Sequence, residues 1–295
     1  MGGIRSRGGL RYTGPDVPPP RSSTALVRGL AASLLLLLGG SGCDPAARGV
    51  DHLSYAGSGT LSDTVLPPLS ESFVRRGGVP LTYDGYVGSS AGFAAAMKGQ
   101  VMLSGVARAL KSSEKAQHPY YVIIGYDALA IFVHPDNPVA SLSRAQLKEL
   151  FTGKARSWKD VGGADVPVER VTTKLATGSG TADFFREKVL EGAAFAPAHE
   201  IADVREMVAY VAAHPRAIAF GSLSVPPQGV RAVQVEGVAP TADSVRTADY
   251  LLSRPLVLAT REVPEGPLQA FLDHVMSPEG QAIVARSFVP VHVSP

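Results

Sequence analysis

Three short Gly-Ser/Thr motifs are the residues of this chain best suited to chemistry. They read GSGTLS at 57–62, GSSAGF at 88–93 and TGSGTADFF at 177–185. Glycine allows the backbone to turn and lets a ligand approach closely. The first N–H groups of a helix have no internal partner and carry a partial positive charge, and hydroxyls add neutral donors. Each motif alone is ordinary helix capping, but three of them on separate elements favour a cradle for an anion.

The elements around these motifs alternate between strand-like and helical patterns. This alternation predicts an α/β fold with largely parallel strands, in which each motif joins a strand to a helix. Ser143 and Asp203 are predicted helix caps, and His214-Pro215 ends a helix. The predicted strands are 53–56, 79–83, 101–106, 121–125, 129–133, 168–172, 217–220 and 255–260, and the predicted helices are 62–76, 91–99, 144–151, 181–190, 204–213, 265–276 and 278–287.

Composition and charge exclude several classes of function. The chain has 295 residues, of which 45% are apolar and 18% charged, so it can form a packed core. Residues 1–43 hold five Arg and one acidic residue, and the remainder holds 23 basic and 25 acidic residues. No basic run is interleaved with aromatic residues, which argues against a nucleic-acid partner. No cluster has the spacing of metal ligands and no Walker A motif is present, so we expect neither metal nor cofactor.

The N-terminus is typical of a secretory signal. Arg21 and Arg28 precede the apolar run Ala31–Leu38, which is followed by small residues and Cys43. The run is shorter than the roughly 20 residues that span a bilayer. Cys43 is the only Cys and resembles the lipidated Cys of a bacterial lipobox, although Gly40 stands where Leu is usual. We therefore expect a signal peptide at 1–43, a tether at 44–52, and a periplasmic or cell-surface protein anchored through lipidated Cys43.

A hydrolase is a remote alternative. Gly88-x-Ser90-x-Gly92 fits the nucleophile elbow of serine hydrolases. Such an enzyme also needs an acid and a histidine later in the chain. Several histidines are available, but none stands in a setting that singles it out, and His214 and His274 resemble surface or capping residues. The histidines considered are His199, His214, His274 and His292.

Four longer stretches carry a resemblance to a known family. They are YDALAIFVHPDNPVASLSRAQLKELFTGKARSWKDVGG at 126–163, GSGTADFF at 178–185, RPLVLAT at 254–260 and FLDHVMSPEGQAIVARSFVPV at 271–291. In their order and spacing, from about Leu53 to Val291, the chain resembles the phosphate-binding proteins of bacterial phosphate ABC transporters.

The resemblance implies a two-lobed periplasmic-binding-protein fold of type II, with hinge strands and a ligand cleft between the lobes. It implies a monomeric, non-enzymatic protein that captures phosphate or a related oxyanion and docks on an ABC permease. The chain would cross between lobes near Tyr126–Val133 and return near Gly221–Val225. The implied division places lobe 1 at 53–127 and 223–295, and lobe 2 at 128–222.

The resemblance also assigns a candidate site. Gly59, Thr60 and Leu61 would offer main-chain N–H groups, with the Thr60 hydroxyl added, and Ser89 would donate from the second motif. The donors from the other lobe would be Ser179, Gly180 and Thr181. Arg108, in the first lobe, would be a further cationic partner. Ser224 is expected to lie outside this site.

Departures from the family pattern bear on how tightly an anion is held. Leu175 and Ala182 stand where the family usually has Arg, and Ala107 stands where it has Ser or Asp. Arg108 or Lys174 would have to replace the lost partners, and Lys supplies a point charge where Arg supplies a planar fork. The alternative to a transport role is therefore a relative with a degenerate site that acts as a sensory or structural accessory lipoprotein.

Overall fold

The computed structural model describes residues 50–174 and 178–291, and says nothing of the side chains of residues 85 and 86. The predicted signal peptide and Cys43 lie outside the described residues. Within the described part, no helix combines the length and apolar character needed to span a membrane.

The first part of the chain alternates strands and helices. It contains β1 (Leu53–Gly57), α1 (Gly59–Ser62), α2 (Leu66–Arg75), β2 (Leu81–Tyr86), α3 (Gly88–Met97), β3 (Leu103–Val106), α4 (Ser112–Lys115) and the long strand β4 (Tyr120–Val133). The helix predicted at 62–76 is shorter, because prolines in its first turn fix where α2 begins. The helix predicted at 91–99 begins earlier, so that Gly88, Ser89 and Ser90 form the first turn of α3.

The middle of the chain repeats this alternation. It contains β5 (Ser141–Leu142), α5 (Arg144–Thr152), a 3-10 turn (Trp158–Val161), β6 (Glu169–Thr172), α6 (Gly180–Lys188), β7 (His199–Glu200), α7 (Val204–Ala213), β8 (Ala217–Ser222), β9 (Arg231–Val235) and α8 (Ala242–Arg246). Ser143 and Asp203 cap α5 and α7 as predicted. The strands β5, β7 and β9 and the helix α8 were not predicted, since elements of two to five residues carry little periodic signal.

The C-terminal elements pack against the first part of the chain. It contains β10 (Ser253–Thr260), α9 (Gly266–Met276), α10 (Pro278–Val284) and β11 (Val289–Pro290). Leu268, Phe271 and Leu272 of α9 join the same hydrophobic cluster as Leu53 and Leu103. The two C-terminal helices therefore complete the core of the first part of the chain.

The expectation of largely parallel strands is wrong for the centre of the sheet. β1 is parallel to β2 and β3, and β6 is parallel to β7 and β8. β4, however, runs antiparallel to both β10 and β8. The two runs predicted at 121–125 and 129–133 form this one strand, which extends from the first group of strands into the second.

Two large cores flank this central strand. The first contains Leu53, Leu258 and Phe271, and the second contains Phe151, Trp158, Phe185 and Phe220. We call the two groups of elements lobe 1 and lobe 2. The predicted return to lobe 1 near residue 223 stays a prediction. The second core also includes Val233, Val235, Val245, Tyr250 and Leu252, which favours a return nearer to Ser253.

Candidate functional site

A small cavity of about 40 Å³ brings together residues that are distant in sequence. Gly59 and Thr60 line it from the start of α1, and Ser179 and Thr181 line it from the start of α6. The rest of its wall includes Asp203 and Arg205 of α7, Ser222 of β8 and Ser224. A single water needs roughly 10–15 Å³ of such space, so the cavity has the scale of a small oxyanion.

A buried ion pair lies behind this cavity. The Arg254 side chain is fully buried on β10, and its Nε and Nη2 donate to Asp127 Oδ2 of β4 at 3.0 and 2.8 Å. The other carboxylate oxygen of Asp127 accepts from the Ser222 hydroxyl at 2.8 Å. Burial raises the pKa of Asp127 above its ordinary value, and the charge and hydrogen bonds of Arg254 oppose that rise.

The same guanidinium contacts hydroxyls of both lobes. Arg254 Nη1 donates to Thr181 Oγ1 at 2.8 Å, and Nη2 donates to Thr60 Oγ1 at 3.3 Å. Sequence reasoning found the threonines but not Arg254 or Asp127. The available signal was a charged residue inside an apolar strand, because such a residue is almost never fully buried unless it is paired.

The start of α6 lies against lobe 1. A Cβ atom on Gly180 would be 2.1 Å from the Ser89 hydroxyl oxygen of α3. Ser89 is fully buried, and its hydroxyl accepts from the main-chain N–H of Ala107 at 3.2 Å. Ser179 caps α6 by accepting from Ala182 N at 3.4 Å. The predicted donors Ser89 and Gly180 are therefore in contact with each other, beside the cavity rather than among its lining residues.

Two further predicted donors are occupied by protein partners. The main-chain N–H of Leu61 donates to the Ser58 carbonyl at 3.1 Å. Arg108 is buried, and its Nη1 and Nη2 each donate to Glu114 at 2.8 Å. Neither residue lines the cavity. Their roles as direct ligands stay predictions to which this geometry gives no support.

The remaining residues named in the sequence analysis lie in different surroundings. Ser224 lines the cavity, and its hydroxyl lies 2.8 Å from that of Ser222, so this geometry does not support the expectation that it stands outside the site. Lys174 lies with His199 and Glu200 on another surface depression. Ala107 is buried, and its carbonyl accepts from Arg254 Nη1 at 3.2 Å. Leu175 lies outside the described residues.

An ion cluster joins α6 to lobe 1 next to the cavity. Asp183 Oδ2 accepts from Lys111 Nζ at 2.7 Å and from the Ser90 hydroxyl at 3.1 Å, and it lies 3.6 Å from Arg108 Nε. Burial acts to raise the pKa of Asp183, but the Lys111 hydrogen bond and charge outweigh it, so the pKa is lowered. The pKa of Glu114 is lowered in the same way, with the Arg108 hydrogen bond opposing burial.

The Ser90 hydroxyl belongs to this ion cluster. It donates to Asp183 and accepts from Arg108 Nη2 at 3.0 Å. Among the described residues, no histidine makes a hydrogen bond with it. His274 is buried against Phe73, so its expected surface position is wrong. His199 and His214 stack on Tyr210, and His292 lies outside the described residues.

No metal site is evident in the part of the chain that the structure covers, since no three His, Cys, Asp or Glu residues are grouped there in a way that could hold an ion. The cavity wall offers hydroxyl and main-chain N–H donors from α1 and α6 together with the charged side chains of Asp203 and Arg205, and Arg254 lies behind it. An anion with several acceptor oxygens fits such a donor set.

Comparisons with known proteins identify the family of this chain. The family model of the PBP superfamily domain matches residues 44–279. A candidate phosphate ABC transporter substrate-binding protein from Clostridium perfringens, solved with bound phosphate, is 32% identical, with a TM-score of 0.74 over 82% of this chain and 100% of that one. An ABC-type phosphate transport receptor from Vibrio cholerae is 25% identical, with a TM-score of 0.72 over 80% of this chain and 99% of that one.

Curated sequences give the same result. The phosphate-binding protein PstS of Staphylococcus saprophyticus is 28% identical over 279 residues, which span 88% of this chain and 87% of the relative. PstS of Staphylococcus epidermidis is 28% identical over 284 residues, with 88% and 86% covered. The predicted two-lobed α/β fold is confirmed, and the chain belongs to the PBP superfamily, among the phosphate-binding proteins of bacterial ABC transporters.

Proposed function

We propose that this protein captures phosphate, or a closely related oxyanion, outside the cytoplasm and delivers it to an ABC importer. The observation that carries the proposal is the convergence of Thr60 from lobe 1 and Thr181 from lobe 2 on one small cavity, with Arg254 behind both. The named functions of its relatives support the choice of phosphate.

The proposed site holds the anion with neutral donors. The Thr60, Ser179 and Thr181 hydroxyls and the first main-chain N–H groups of α1 and α6 would surround it, and Ser89 would support the start of α6 from α3. Binding by oriented dipoles and hydroxyls needs no ligand-contacting cation. This is consistent with Ala182 at a position where the family usually places Arg.

The proposal includes the route of the protein to the membrane surface. The residues before Cys43 would be removed as a signal peptide, Cys43 would become the lipidated first residue, and the protein would remain as an anchored monomer that docks on its permease. It would capture its ligand without chemically changing it, and would not act as an enzyme.

Titration calorimetry with phosphate, sulfate and molybdate tests this function. We expect heat of binding with phosphate and a one-to-one stoichiometry. No heat with any of the three anions would contradict the transport role and favour the accessory role with a degenerate site. Esterase or phosphatase activity that disappears in Ser90→Ala would instead support the hydrolase.

A further inference from the structure

Arg254 is placed where it can control the direction of two hydroxyl groups. It is fully buried, and it is held to Asp127 by two hydrogen bonds and to the Ala107 carbonyl by a third. Arg254 and Asp127 lie on β10 and β4, which pair directly with each other. The guanidinium is therefore fixed to the centre of the sheet rather than to the helix starts that it contacts.

A guanidinium can only donate hydrogen bonds, whereas a threonine hydroxyl has one proton and two lone pairs. Thr60 and Thr181 must therefore use a lone pair toward Arg254, which leaves each hydroxyl proton to point elsewhere. Among the described residues, neither hydroxyl donates to a protein acceptor. Both threonines line the cavity, so their protons are available to a group inside it.

We propose that Arg254 is a positioning residue that fixes the Thr60 and Thr181 hydroxyls as donors to the oxyanion, one from each lobe. The inference rests on the proposed function and adds to it the residue that prepares the donors. Arg254 is fully buried and does not line the cavity, so it acts through the threonines rather than by direct contact.

The electrostatics of the ion pair support this role. Arg254 Nε and Nη2 donate to Asp127, while Nη1 donates to Thr181 and Nη2 also donates to Thr60, so the guanidinium bridges the carboxylate and the two hydroxyls. Hydrogen bonds in which one partner is ionised are shorter and stronger than neutral ones, and chains of hydrogen bonds polarise one another. A hydroxyl that accepts from Arg254 is thereby a better donor to an anion.

The geometry also requires arginine in particular. Its planar fork contacts Asp127, Thr60 and Thr181 at the same time. Lysine carries a compact charge on a flexible stem and cannot reproduce this fork. Arg254→Lys therefore keeps the charge near Asp127 but loses the simultaneous hold on both hydroxyls.

A double-mutant cycle on phosphate affinity tests the proposal. We expect Arg254→Lys to weaken phosphate binding about tenfold or more, the scale of a lost hydrogen bond to a charged group. In a Thr60→Val/Thr181→Val background the same change should alter the affinity less than about twofold, because the groups that it positions are absent. A merely structural arginine would not produce this coupling.

Two further variants keep the test decisive. Arg170→Lys is the matched control, because Arg170 donates to the Leu150 and Ala155 carbonyls and does not line the cavity. It should leave the affinity unchanged. If Arg254→Lys fails to fold, Arg254→Met combined with Asp127→Leu replaces the buried pair by apolar groups, an exchange that is often neutral for stability. This double variant should fold and bind phosphate at least about tenfold more weakly.

The possible failures are distinguishable. Wild-type protein that binds no oxyanion would overturn the proposed function and this inference together. If the wild type binds phosphate and Arg254→Lys, or the apolar double variant, binds it with the same affinity, the inference alone would be overturned. An equal loss of affinity in the presence and absence of the two threonine hydroxyls would also overturn it.

Discussion

At the scale of single residues, the proposed site depends on the hydroxyls that line the cavity from both lobes. Thr60, Ser179 and Thr181 could be predicted from the sequence, because each stands in a Gly-Ser/Thr motif before a helix. For Asp127 and Arg254 the sequence offered only a charged residue inside an apolar strand, and their pairing across 127 positions has no local signal. Leu61 and Arg108 were assigned to the site by their positions in the family pattern. In the structure, the Leu61 N–H donates to the Ser58 carbonyl and Arg108 donates to Glu114.

The cap of α6 offers a test that separates stability from binding. Ser179→Ala removes both an N-cap acceptor and a hydroxyl in the cavity. Ser143→Ala is the matched control, because Ser143 caps α5 and lies outside the cavity. Each change should lower the free energy of unfolding by about 1 kcal/mol. Only Ser179→Ala should weaken phosphate binding in calorimetry, and equal affinities in the two variants would contradict the placement of the site.

The Asp183 carboxylate predicts a pH dependence of stability. Its pKa is lowered in the folded protein, since the Lys111 hydrogen bond and charge outweigh burial. The unfolded chain therefore binds the proton more readily, and stability is lost as the pH falls through the folded pKa. The free energy of unfolding should decrease below about pH 4, near the ordinary aspartate pKa.

Urea denaturation of the wild type and Asp183→Asn over that pH range measures this contribution. The variant should be less stable than the wild type at neutral pH, and the difference should shrink as the solution is acidified. A difference that stays constant down to low pH would show that the carboxylate charge contributes nothing.

At the scale of elements, the first turns of α1, α3 and α6 determine which residues lie at or beside the cavity. α3 and α6 begin at Gly88 and Gly180, and their first turns meet where Ser89 faces Gly180. The sequence predicted these junctions because glycine, serine and threonine are strong local signals. It did not predict the antiparallel pairing of β4 with β10 and β8, because strand direction depends on the path of the whole chain.

Gly180→Ala tests the approach of these two helices. The added Cβ would stand 2.1 Å from Ser89 Oγ and 2.7 Å from Ser89 Cβ, so the start of α6 has to move away from lobe 1. We expect clearly weaker phosphate binding with a small change in melting temperature, because the contact joins the two lobes rather than packing one core.

Gly92→Ala provides the contrast. Its Cβ would meet the backbone of Ala56 and Gly57 at 2.4–2.6 Å, inside lobe 1, so its main effect should be on the melting temperature. If Gly180→Ala binds phosphate with wild-type affinity, the close contact of α6 with α3 is not needed for the bound state.

At the scale of the whole molecule, two cores are linked by the strands that hold the buried ion pair. β4 spans both groups of strands, and β10 pairs with it along eight residues from Ser253 to Thr260. Contacts from Asp183 to Lys111, and from Arg254 to both threonines, then join the lobes around the cavity. Hinge closure around a ligand is the general behaviour of such two-lobed proteins, and these contacts lie beside the proposed site.

The proposed function places an oxyanion in the cavity between Thr60 and Thr181. The most direct measurement is a crystal structure of the protein grown with phosphate. We expect phosphate oxygens within hydrogen-bonding distance of both threonine hydroxyls, with Arg254 behind them and not in contact with the anion. Phosphate bound elsewhere, or a cavity that remains empty at saturating phosphate, would contradict it.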